Sequence, residues 1–258
     1  MGAIAISAVP AVNWRRVATR VSQGIIVVVA AAATVMALGL LPQYTPAIDQ
    51  QFYQRLTEHW LSTGQLYLPD QLDGSYRFTN MQEVFYPPLA LYLFVPFVWL
   101  PIQLWYILPV AGLALALHRL RPAWWAWVFM AGIFMWPFAA AAFIYGNSAI
   151  WAVAIATLGV AFAWPSPFIL FKPSLWPFAL IGMRRRTWWL ALALIVLLAL
   201  PFGGLWIDYL RAIHNSNLSP TYVLRDFPLM CLPLVAWAGR QSGPSKNGGD
   251  KRARAETP

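Results

Sequence analysis

Asp49 follows directly on the first long apolar run of the chain, and Tyr53 stands four residues further on. Residues four apart share a helix face, so a helix here sets a carboxylate beside a phenol where the chain leaves its apolar surroundings. A carboxylate in that place can collect the proton of a hydroxyl group. It can equally be a first-turn acid favoured by the helix dipole. Lys172, in SPFILFKPSLWPF, is the one charged residue inside an apolar run. An ammonium group within a span is costly and points to function by default, although its stem can carry the charge to an interface about four residues away. Tyr67, three residues after Gly64, and Tyr86, which opens Tyr86-Pro87-Pro88, add two more phenols. Taken alone, Tyr86 reads as an interfacial aromatic followed by prolines that start a helix.

Composition dictates the scaffold that must position these groups. The chain has 258 residues, 60% of them hydrophobic and 10% charged, where soluble domains carry about 25% charge. Apolar runs of the roughly 20 residues needed to cross a hydrocarbon core of about 30 Å recur along nearly its whole length. They are continuous and Ala/Leu-rich, which argues against the alternation of a β-barrel. The fold class is therefore all-α, a polytopic transmembrane helix bundle spanning 24–239 between a basic arm at 1–23 and a tail at 240–258. Spans are predicted at 24–42, 123–142, 148–164, 168–182, 187–206 and 227–239. The stretch 87–117, interrupted by Pro96, Pro101 and Pro109, reads as two short spans turning near Pro101, for about eight crossings. The rival count is about six, with 87–117 as one kinked span and 168–182 re-entrant.

The net charge is +9, and the excess is clustered: Arg15, Arg16 and Arg20 before the first run, Arg184–Arg186 in mid-chain, and five basic residues from Arg240 to Arg254. Such clusters orient spans by staying in the cytoplasm, and they argue against a nucleic-acid-binding face. The amino terminus and tail then lie inside, while the loops 43–86 and 207–226 lie outside. The first run is too long for a signal-peptide core and reads as an uncleaved anchor. The loop 43–86 holds Asp49, Glu58, Asp70, Asp73 and Glu83, five of the nine carboxylates. Within it, Thr45-Pro46 is a helix start and Gly64 a stop, and Phe52, Leu56 and Trp60 recur every four residues. This predicts an outer juxtamembrane amphipathic helix whose aromatic stripe faces lipid or the bundle. The single Cys231 excludes an intrachain disulfide. No His/Asp cluster has metal-ligand spacing, and the Gly/Ser/Pro-rich tail reads as disordered.

Asp49, Tyr53, Gly64, Tyr67 and Phe85-Tyr86-Pro87-Pro88, in that order after a first span, resemble the opening of glycosyltransferase family 87 in the GT-C superfamily. The resemblance continues through YGNSAIWAVAIATLGVAFA, FKPSLWPFALIGMRRRTWW and WIDYLRAIHNSNLSP, and so covers most of 24–220. Asn147 follows Gly146 directly where the family usually has Gln, and the chain is shorter than GT-C enzymes commonly are. The resemblance implies a mannosyltransferase-like enzyme that uses a polyprenyl-phosphate sugar and an envelope or lipid acceptor at a bacterial cytoplasmic membrane, with no nucleotide and no cofactor. It implies that Asp49 is the catalytic base. Lys172 becomes a candidate contact for the donor phosphate, with Arg77, Arg211, His214 and Arg225 as alternatives in the outer compartment. Tyr53, Tyr67 and Tyr86 become candidates to stack on a sugar, against the alternative of an aromatic belt. A single base and direct displacement invert the anomeric centre, whereas retention usually needs a second carboxyl group.

Two other classes stand beside this one. A non-catalytic or truncated relative would bind polyprenyl lipid or scaffold a membrane complex. A small transporter is disfavoured because the spans lack the paired acids that ion coupling usually demands.

Overall fold

The computed structural model describes residues 45–76, 83–216 and 227–241, with part of 13–28. The predicted first span, Arg77, Arg225 and the basic tail beyond Gln241 lie almost wholly or entirely outside the described residues. Among the described residues every regular element is helical, apart from one isolated bridge between Tyr76 and Ser216. In chain order the principal helices are α1 (Ile48–Thr63), α2 (Ile102–Leu120), α3 (Trp124–Phe134), α4 (Pro137–Tyr145), α5 (Ala149–Phe162), α6 (Arg186–Asn215) and α7 (Phe227–Ala238).

Two of these, α2 with 19 residues and α6 with 30, are long and apolar enough to cross a membrane. A third span results if α3 and α4, bent by 67° at their junction, count as one. Among the described residues that is fewer than about eight: the first predicted span lies outside them, α5 and α7 are apolar but have only 14 and 12 residues, and proline divides the other two. Pro87, Pro88 and Pro96 break the first half of 87–117 into single turns over Pro88–Val98. Pro165, Pro167, Pro173 and Pro177 do the same to the span predicted at 168–182, which folds as short turns at Ser166–Phe171, Pro173–Leu175 and Trp176–Ala179. Each proline removes a backbone donor and clashes with the preceding turn. Pro101, just before α2, separates the two halves of 87–117 as expected.

The helix α5 forms the centre of the bundle. Its small residues Ala149, Ala152, Ala156 and Gly159 are buried, and such residues let neighbouring backbones approach closely. It packs against α2 and α7, and Trp105 of α2 is fully buried beside it.

The outer helix α1 ends where expected. Gly64 adopts φ 76° and its N–H donates to the Trp60 carbonyl at 2.7 Å, the left-handed stop that glycine permits without a Cβ penalty. Its start differs: the helix begins at Ile48, preceded by Ala47 at φ 58° with no side-chain cap. The Ala47 N–H instead donates to Ile144 at the end of α4, at 2.7 Å. Tertiary docking has replaced the local cap. The stripe Phe52, Leu56 and Trp60 packs against the bundle.

The loop after α1 is tied down by a buried amide. Gln71 accepts from the Val84 N–H at 3.1 Å and donates to the Val84 carbonyl at 3.1 Å and to the Tyr76 hydroxyl at 3.0 Å. The Tyr76 hydroxyl donates on to Ala212 of α6 at 2.9 Å, and Asn215 donates back to the Gln71 carbonyl at 3.0 Å.

Candidate functional site

The site is built where α4 stops and α5 starts. Gly146 takes φ 67°, its N–H donates to Phe143 at 3.1 Å, and the Asn147 N–H donates to Ala142 at 2.8 Å. This is a Schellman ending, which satisfies carbonyls that the last turn leaves open. A Cβ at position 146 would lie 2.8 Å from the Tyr106 hydroxyl and 3.0 Å from the Gln50 Cβ. Glycine is therefore required twice over, for the turn and for the close approach of α1 and α2. The Gly146 carbonyl accepts from the Trp105 indole at 2.8 Å.

The next residue, Asn147, which was not a site candidate from sequence, projects its amide between two residues that were. Its Oδ1 accepts from the Ala149 N–H at 2.9 Å and from Lys172 Nζ at 3.4 Å, while its Nδ2 donates to Asp49 Oδ2 at 2.7 Å. The orientation of the amide is dictated by these neighbours. Two donors face one end and a carboxylate faces the other, so the reversed amide would set donor against donor and acceptor against acceptor. Asn147 thus holds Asp49 and Lys172 at opposite ends of one planar group, and the ammonium charge strengthens the amide as a donor to the carboxylate.

Beneath this lies a ring of hydroxyls. The Tyr53 hydroxyl is 2.9 Å from that of Tyr86, which is 2.7 Å from Ser148 Oγ, and the Ser148 N–H donates to the Tyr53 oxygen at 3.3 Å. The Tyr67 hydroxyl donates to the Tyr86 carbonyl at 2.8 Å. Burial, and secondarily the charge of Asp49, push the Tyr53 phenol well above its ordinary range. Burial, then Tyr209 and Asp208, do the same for Tyr67. Both phenols stay protonated at neutral pH; Tyr67 donates to the Tyr86 carbonyl, and Tyr53 accepts from the Ser148 N–H.

The expected sugar-stacking role does not suit Tyr53 or Tyr67. Tyr53 is 4% exposed and its ring is stacked on Phe94 at 4.5 Å, with Tyr86 at its edge. Tyr67 is likewise 4% exposed. Their rings support the site from below, and Tyr86, half-buried, links the two. His214 is exposed on the last turn of α6 and takes no part in the Asp49–Asn147–Lys172 set. Arg211 is exposed on the same helix.

Three contributors escape sequence reasoning. Ser148 and Tyr106 look like ordinary residues of a turn and a span. Gln50, 2% exposed, has a buried Oε1 with no partner among the described residues, and only its neighbour Asp49 drew attention. Among the described residues no three His, Cys, Asp or Glu side chains gather as a metal site would require.

No protein-family model, curated protein or solved structure matches this chain.

Proposed function

We propose that the protein is an integral-membrane glycosyltransferase of the GT-C type. It moves mannose from a polyprenyl-phosphate donor to a lipid or envelope glycan acceptor on the outer face of a bacterial cytoplasmic membrane, with inversion. Asp49 is the general base: it takes the proton of the acceptor hydroxyl as that oxygen attacks the anomeric carbon and the bond from that carbon to the phosphate oxygen breaks. Lys172 supplies positive charge to the departing phosphate. Asn147 is a positioning residue, because it fixes both groups through one amide.

The observation that carries this reading is the convergence of Asp49, Asn147 and Lys172, residues 98 and 25 positions apart along the chain, on a single hydrogen-bonded set. Each belongs to a different stretch of the family resemblance. A carboxylate and an ammonium held a fixed distance apart match a reaction that needs a base on one side of a carbon and an anion acceptor on the other.

The test uses membranes containing the full chain, incubated with radiolabelled polyprenyl-phosphate mannose and a crude lipid acceptor fraction. Transfer by the wild type with loss in Asp49→Asn is the expected result. Equal transfer by both proteins removes Asp49 from the mechanism. An absence of transfer by either moves the reading to a non-catalytic lipid-binding or scaffolding protein.

A further inference from the structure

A groove of about 760 Å³ opens between α1, the Pro88–Val98 turns and α6, well along α1 from Asp49. Trp60, Leu91, Tyr92, Phe202 and Leu205 line it, and Asp208 is its one carboxylate. The walls pack on one another: the rings of Trp60 and Tyr92 meet that of Phe202 at centroid distances of 6.0 and 5.2 Å. Asp208 is half-buried and makes no hydrogen bond or ion pair with the described residues.

The depth of the groove follows from the length of α6. This helix begins at Arg186, the last of three consecutive arginines, which mark one membrane boundary. Asp208 lies 22 residues further (208 − 186), or about 33 Å at 1.5 Å per residue. That matches the far boundary of a core about 30 Å thick. Trp206 and Tyr209 flank Asp208, as interfacial aromatics do. Phe202 and Leu205 lie one to two turns deeper, at the level of acyl chains. The groove therefore runs from head-group depth into the hydrocarbon.

An apolar channel whose polar end carries one carboxylate, unpaired among the described residues, is complementary to an amphiphile with a cationic head, and it opposes an anionic one. Arg211, exposed one turn closer to water, suits a phosphate beside that cation. We propose that this groove binds a phospholipid bearing a primary ammonium, with one acyl chain along Phe202 and Leu205 and the ammonium on Asp208. The ligand is distinct from the polyprenyl-phosphate donor, whose charge this carboxylate would repel. The proposal rests on α6 crossing the bilayer and is independent of the transferase reading.

The test is native mass spectrometry of the full chain in a neutral detergent, with phosphatidylethanolamine and phosphatidylglycerol of identical chains at equal concentration. The wild type is expected to retain the ethanolamine lipid about three- to fivefold more, the scale of a partly exposed ion pair, and Asp208→Asn to bring the two lipids to parity. Chain-free glycerophosphoethanolamine should displace neither. Equal retention by the wild type overturns the proposal whether or not the variant folds. So does a preference that survives in Asp208→Asn, or displacement of the lipid by the chain-free head group.

Discussion

Two side-chain amides organise this fold, and they are used differently. Gln71, fully buried, meets the backbone of Val84 on both sides and a tyrosine hydroxyl beyond. Each partner is neutral, and every bond stitches the outer loop to itself or to α6. Asn147 is only half-buried, and its amide stands between a carboxylate and an ammonium. An amide that ends on backbone secures the chain. An amide that ends on opposite charges fixes where those charges can act. The first kind is expected to govern stability and the second activity, and this division can be tested.

The largest effect should come from the charged network. Asp49→Asn keeps the shape and a hydrogen-bonding group but removes the base, and transfer should fall by roughly 10²–10⁴-fold with little change in thermal unfolding in detergent. Gln71→Leu should give the opposite pattern. It strands the Val84 N–H and carbonyl, while the Tyr76 hydroxyl keeps its bond to Ala212, at about 1–3 kcal/mol per buried group left without a partner. Unfolding should then be easier by about 3 kcal/mol or more, while transfer per folded molecule is retained. If Gln71→Leu instead lost activity at unchanged stability, the division would collapse.

Two glycines sharpen the comparison. Gly146→Ala must adopt φ 67° and press on the Tyr106 hydroxyl and Gln50, so it should cost about 2 kcal/mol or more and displace Asn147 as well. Gly64→Ala meets nothing within 4 Å and should cost only the left-handed backbone, about 1 kcal/mol. Equal losses for the two in a denaturation series would show that the crowding at Gly146 does not matter.

The smallest effect at neutral pH is the titration of the buried phenols. Tyr53 and Tyr67 hold their protons more tightly in the folded state than in the unfolded one. Their contribution to stability is complete below the unfolded phenol value of about 10 and falls as pH rises beyond it, because the unfolded chain then releases protons that the folded chain keeps. Thermal unfolding followed from pH 7 to 11 should decline only above about pH 9–10, and Tyr53→Phe should flatten part of that decline.

Much of the charged network was legible in the sequence because ionisable residues are rare in this chain. Asp49 stood out at the end of an apolar run and Lys172 stood out inside one, while Asn147 entered only as the residue after Gly146 in the family resemblance and its positioning role did not show. The neutral network was not legible. Gln71 lies in a polar loop where an amide attracts no notice, and its worth depends on Val84 and α6, which meet it only after folding. The stop of α1 at Gly64 is local chemistry and was read correctly, whereas its start depends on Ile144, nearly a hundred residues away. The helical class followed from composition. The number of spans did not: the prolines of 87–100 and 168–182 divide those stretches into single turns, beyond the one break read near Pro101, and the helices at Ala149–Phe162 and Phe227–Ala238 are shorter than the apolar runs that contain them.

The helix α5 has 14 residues and so extends about 21 Å, roughly 9 Å less than an average hydrocarbon core. Packed against α2 and α7, it is bordered by protein rather than lipid, so the bilayer keeps the thickness that α6 spans and the shortfall becomes a recess inside the bundle. Asn147 stands at the head of this short helix, so a recess at that end sets Asp49 in a vestibule walled by helices. A polar substrate then reaches the carboxylate through the protein and not through the lipid.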